Sequence, residues 1–125
     1  MLEAYFDDSG RGQDPVFVLA GFLSTAGRWA AFNEDWRNEL DREPTLGRFK
    51  MQHAMTGSDR WRLIREDARL ERLDLFRSII HRHVLFGVVC VVRHDDYNRL
   101  MRDRLSFPDT AYWFGFMGAV GATIR

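Results

Sequence analysis

Disulfides, net charge and a membrane-spanning stretch are all missing from this sequence. Its one cysteine, Cys90, has no partner for an internal disulfide and lies in an apolar run, where a small core residue is expected rather than a nucleophile. That usage fits a cytoplasmic protein. Basic and acidic residues number 18 each. The balance gives no support to a generally basic nucleic-acid binder, although it leaves a local patch open. The chain does not open with a basic segment followed by an apolar core, so no signal peptide is expected. The one membrane-like stretch, Ala111 to Ile124, is shorter than the roughly 20 residues a spanning helix needs, and no membrane partner is expected. A Gly-x-Ser-x-Gly elbow is absent too, so Ser9 lacks the turn that activates a serine hydrolase.

What remains is rich in core material. Of 125 residues, 46% are hydrophobic and 14% aromatic, too many for disorder and enough for one packed domain over residues 1–125. Leu2 to Phe6 reads as a strand, Ser9 to Pro15 as a loop, and the apolar run Val16 to Leu23 as a second strand. Thr25 is the expected N-cap of a helix reaching about Asp41, with Trp29, Phe32, Trp36 and Leu40 on one face. That stripe is expected to pack against a sheet rather than to stack nucleic-acid bases. Arg48 to Met51 suggests a short third strand.

Ser58 and Asp59 offer caps for a helical region ending near His83, but its apolar phase slips between Ala68 and Leu73, predicting a break or two contacting faces. Its interleaved arginines and acids predict a salt-bridged solvent face first and a phosphate-binding strip second. His81, Arg82 and His83 sit where a helix dipole favours cations, and their spacing makes no metal motif. Val84 to Val92 reads as a central strand buried on both faces, as in a parallel sheet. A helix with Tyr97, Leu100, Met101 and Leu105 follows, Phe107-Pro108 ends it, and Asp109 or Thr110 caps a last apolar helix. Gly115, Gly118 and Gly121 give that helix a side open to close backbone approach, and its apolar surface calls for a protein partner or self-association through Ala111 to Ile124. The alternation predicts an α/β sheet flanked by helices.

Chemistry is concentrated in Tyr5-Phe6-Asp7-Asp8-Ser9-Gly10. Two carboxylates at the end of a strand hold oxygens on a rigid platform for a hard cation, and they are equally ordinary turn residues. Asp95 and Asp96 form a second acidic pair after the later strand, able to complete such a site with Asp7 or simply to cap a helix. His53 suits metal binding, proton transfer or phosphate contact, and also the capping of a loop.

The opening, with Phe17-Val18-Leu19-Ala20-Gly21-Phe22 after it, resembles the bacterial and phage domain-of-unknown-function family 3800. Members typically begin Tyr-x-Asp-Glu-Ser-Gly before a glycine-containing hydrophobic strand. Asp7 matches the Asp, Asp8 takes the place of the Glu, and His53-Ala54 matches a His-Ala pair that commonly follows. The resemblance implies a ribonuclease H-like mixed sheet and an acidic metal site, with no established substrate. It covers the N-terminal half of such proteins, whose later acidic strand and final helix have no counterpart here, so a fragment ending before them is expected.

The expected activity is metal-dependent nuclease or phosphodiesterase chemistry with Mg²⁺ or Mn²⁺. Asp7, Asp8, Asp95 and Asp96 would be the metal ligands, and Asp7, Asp8 and His53 the catalytic groups. The alternative is a non-catalytic interaction domain that uses the last helix.

Overall fold

A computed structural model describes residues 1–10, 14–100, 104 and 111–124. Three strands, β1 (Leu2–Ser9), β2 (Val16–Thr25) and β3 (Phe86–Arg93), form one sheet in the order β1-β2-β3. The helices are α1 (Ala26–Asp41), α2 (Met51–Thr56), α3 (Glu66–His83), α4 (His94–Leu100) and α5 (Ala111–Ile124), with a 3-10 turn over Asp59–Leu63. The mixed α/β architecture expected from the alternation is present. Residues group into two compact units, a helical one (Met1 with Ser24–Val84) and a sheet one (Leu2–Leu23 with Leu85–Arg125).

In the helical unit, the Thr25 side chain accepts from the Arg28 N–H at 3.3 Å and starts α1, as the cap pattern predicts. The aromatic stripe of α1 packs on other residues of the helical unit. Trp36 lies 4.6 Å from the Phe76 ring of α3 and 5.2 Å from Phe49, and Phe49 lies 6.0 Å from Trp61. Leu46, Ala54, Trp61, Ile64 and Phe76 are buried around these rings. This corrects the third strand expected over Arg48 to Met51. Phe49 is held by the aromatic cluster, residues 48–50 form no strand, and α2 begins at Met51.

The apolar phase slip in the 58–83 region does not break α3 where expected. The interruption comes earlier, at Ile64 and Arg65, and α3 then runs unbroken from Glu66 to His83. Ala68, Phe76 and Ile79 continue one inward face because Arg72 occupies the position between them, 3% exposed. Its Nη2 donates to the carbonyls of Glu39 at 2.5 Å and Arg42 at 2.9 Å, and its Nη1 donates to that of Pro44 at 3.4 Å. Nε lies 2.7 Å from Glu39 Oε1, an ion pair too bent to count as a hydrogen bond. Burial lowers the Arg72 pKa from its ordinary value, and the Glu39 charge opposes that. One guanidinium thus satisfies the carbonyls left over where α1 ends.

In the sheet unit, β3 runs antiparallel to β2, pairing Phe17 with Val92, Leu19 with Cys90 and Gly21 with Val88. This corrects the central parallel strand. β3 is an outer strand of the sheet, as β1 is, and only its Val88, Cys90 and Val92 side packs on the core of Phe17, Leu19, Tyr97 and Ala119. Val89 and Val91, on the other face, are 68% and 59% exposed. A run of β-branched residues favours strand whichever face is covered, which is why nine apolar positions read as two buried faces. Helix α5 packs against β3. A Cβ at Gly115 would lie 2.8 Å from the Phe17 ring and one at Gly118 3.2 Å from Cys90 Sγ, whereas Gly121 faces open space. Two of the three evenly spaced glycines therefore serve close approach. Met101, Leu105, Phe107, Pro108, Asp109 and Thr110, invoked for the end of one helix and the cap of the next, lie outside the described residues.

Three outcomes are expected. Arg72→Ala should lower the unfolding free energy by about 3 kcal/mol, because it leaves three carbonyls without their donor and Glu39 with only Arg42 as a partner. A loss below about 1 kcal/mol in urea titration would show the pair to be peripheral. Gly115→Ala should destabilise by about 1–3 kcal/mol through overpacking on Phe17. Gly121→Ala should instead stabilise by up to about 1 kcal/mol through helix propensity alone. Equal effects of the two changes would remove the packing argument.

Candidate functional site

Asp7 and Asp8 lie within the last residues of β1 rather than beyond it. Asp7 is exposed, and its Oδ1 accepts the Asp8 N–H at 2.9 Å. Asp8 is half-buried, and by strand alternation it shares the side of Phe6, which packs on the core. The two acids therefore point to opposite faces, as period-2 geometry requires.

Where β3 ends at Arg93, α4 begins at once with His94. Asp95 and Asp96 fall in the first turn of α4, not before it, so they meet the positive end of the helix from inside rather than as caps. Asp95 is exposed. Asp96 lies 3.0 Å from Arg99 and 3.7 Å from Arg93, solvent-facing pairs of the kind worth little to stability. The residue that joins the two acidic segments is His94. Its Nε2 meets the Gly10 carbonyl at 2.9 Å, so it carries the proton and donates, and its backbone N–H donates to Pro15 O at 3.2 Å. The end of β1 and the start of α4 are thereby fastened at one end of the sheet. No signal in the sequence distinguished His94 from a loop histidine.

The donors are hard oxygens, suited to Mg²⁺ or Mn²⁺. They do not converge: among the described residues, no group of three or more His, Cys, Asp or Glu side chains is placed to hold one metal ion. No hydrolytic step follows from this arrangement.

His53 belongs to the helical unit. It is half-buried in α2, and its carbonyl accepts the backbone N–H groups of Gly57 and Ser58 that close the helix. Its Nδ1 lies 2.7 Å from Ser58 Oγ. Its carbonyl thus helps close α2 while its ring is engaged by Ser58.

A second polar cluster in that unit was not legible as one. Asp35 Oδ2 accepts from His83 Nε2 at 2.7 Å and from Arg82 Nη1 at 3.0 Å, joining α1 to the end of α3. The His83 hydrogen bond is the main cause of a lowered Asp35 pKa, aided by the charges of His83 and Arg82 and opposed by desolvation. In the sequence the last turn of α3 shows only cations against a helix dipole, since a partner 48 residues away leaves no local pattern.

No family profile, no curated protein and no solved structure matches the chain. The residues and their geometry are therefore the whole basis for a functional reading.

Because the folded-state pKa of Asp35 is depressed, the stability it contributes is present above its ordinary value of 3.8 and is lost as pH falls through the folded value. Asp35→Asn should therefore flatten the acid limb of the stability–pH curve as pH falls below the ordinary value of 3.8. Superimposable limbs for the two proteins in thermal denaturation would exclude the pair as a contributor.

Proposed function

We propose that the chain carries a divalent-cation-dependent phosphodiester site at the end of its sheet, of ribonuclease H-like type, with nucleic acid as the substrate class. The main support is the His94–Gly10 hydrogen bond, which ties the segment bearing Asp95 and Asp96 to the strand end bearing Asp7 and Asp8. A ribonuclease H-like sheet is mixed, and an antiparallel portion such as β2–β3 is compatible with one. The exposed Asp7 carboxylate is the central ligand in this reading. Asp95 supplies a further oxygen, Asp96 does so only on leaving Arg93 and Arg99, and Asp8, on the opposite face of β1, is an alternate ligand to Asp7. Bound Mg²⁺ or Mn²⁺ would supply charge stabilisation and an activated water. The protein's part is to draw the two acidic segments inward from the one end to which His94 fastens them.

A second reading is an interaction module. It is favoured by the exposed apolar side chains on the sheet unit, Phe86, Val89 and Val91 on β3 with Phe116 and Met117 on α5. An exposed apolar sheet face such as that of Val89 with Val91 is a mark of partner binding. Helix α5 is only partly available for this, since Gly115 and Ala119 are buried.

Titrating Mn²⁺ while following the unfolding midpoint separates the two. Saturating metal should stabilise the folded protein, by about 2.7 kcal/mol at a hundred times Kd, and Asp7→Ala should abolish the effect. A well-folded protein indifferent to Mn²⁺ and Mg²⁺ would leave the interaction reading in possession.

A further inference from the structure

The hydroxyl groups around Gly57 fix the protons of His53. Thr56 Oγ1 lies 2.8 Å from the Gln52 carbonyl, which can only accept, so the Thr56 proton is committed there. Ser58 Oγ lies 2.8 Å from Thr56 Oγ1, so the proton between them must come from Ser58. Ser58 Oγ then has only lone pairs for His53 Nδ1, 2.7 Å away, and Nδ1 must carry a hydrogen. Every bond in the chain is satisfied in one direction only, from His53 Nδ1–H to Ser58, to Thr56, to Gln52 O. Neutral His53 is therefore held with its lone pair on Nε2.

A cation lies beside this chain. Gly57 stands between Thr56 and Ser58 in the left-handed region at φ +65°, and the Arg69 guanidinium from α3 covers it. A Cβ at Gly57 would fall 2.2 Å from Nη1 and 3.0 Å from Nη2 of Arg69, so the guanidinium in this position occupies the space a side chain would take. Arg69 has no ion pair or side-chain hydrogen bond among the described residues, and its Nε is buried without a partner. The nearby Asp67 is engaged by Arg65 instead. The adjoining backbone N–H groups are used, since those of Gly57 and Ser58 both go to the His53 carbonyl. Any anion must then be met by side chains. An unpaired guanidinium is suited to forked recognition of tetrahedral oxyanions, and an imidazole of fixed tautomer can accept a proton from such a group or, once protonated, donate one.

We propose that Arg69 and His53, arranged around Gly57 by Ser58 and Thr56, form a binding site for a phosphate-type oxyanion. Arg69 supplies the charge and His53 Nε2 the second contact. Ser58 and Thr56 are positioning residues that fix the imidazole. The site lies wholly in the helical unit and owes nothing to the acidic residues of the sheet or to a metal.

The test is an imidazole ¹⁵N NMR titration of the full chain with inorganic phosphate, without divalent cations, so that its failure is independent of the Mn²⁺ result. Four outcomes are expected. His53 at alkaline pH should give the Nδ1–H tautomer. Millimolar phosphate should perturb its Nε2 resonance and raise its titration midpoint. Arg69→Gln should weaken phosphate binding roughly tenfold or more while leaving the tautomer unchanged. Ser58→Ala should release the tautomer preference. An Nε2–H tautomer in the native protein would overturn the proton chain. No phosphate response at His53, or an equal response in folded Arg69→Gln, would overturn the site. Chloride producing the same perturbation as phosphate would reduce it to nonspecific charge attraction and equally reject it.

Discussion

The helical unit depends on a cation placed where a hydrocarbon would be expected. Arg72 sits on the inward face of α3, and its donors reach Glu39, Arg42 and Pro44, all at or just beyond the end of α1. A helix end leaves carbonyls unsatisfied, and burying them without donors is costly. With the guanidinium in place the chain can leave α1 through buried surroundings, place Leu46 in the core, and bring Phe49 into the aromatic cluster with Trp36, Trp61 and Phe76. The aromatic packing supplies the apolar burial, and the arginine permits the turn that makes it reachable.

The same residue marks the boundary of what pattern reading can deliver. Thr25 and the stripe Trp29, Phe32, Trp36 and Leu40 announced α1 because capping and helical periodicity are local signals. Arg72 broke the stripe of α3 on paper, since a buried arginine scores as polar, and the helix looked interrupted where it is continuous. Valines misled differently. Val89 and Val91 favour extended backbone by their branching, and sequence does not record that only one side of β3 meets a helix.

The candidate sites divide along the same line. That Asp7 and Asp8 end a strand was readable, as was the pairing of Asp95 with Asp96 after a later strand. The joint made by His94 to Gly10 spans 84 residues and was not readable. His53 carried its own signal only as a residue type. Its fixed tautomer arises from a directed chain through Ser58 and Thr56 to Gln52, which becomes visible once each oxygen is asked where its proton goes. Long-range polar contacts, such as Asp35 with His83, share this property: they join segments whose separate compositions are unremarkable.

The outer position of β3 has a consequence for handling the protein. From Phe86 to Val92 the strand carries no charge and no proline, and natural sheets commonly use such residues to keep an outer edge from adding another chain. A partly unfolded molecule with this edge bare has a ready template for strand addition by its neighbours. Refolding yield should therefore fall as concentration rises, and a single lysine at the exposed Val89 is the least invasive remedy, since that side chain takes no part in the core.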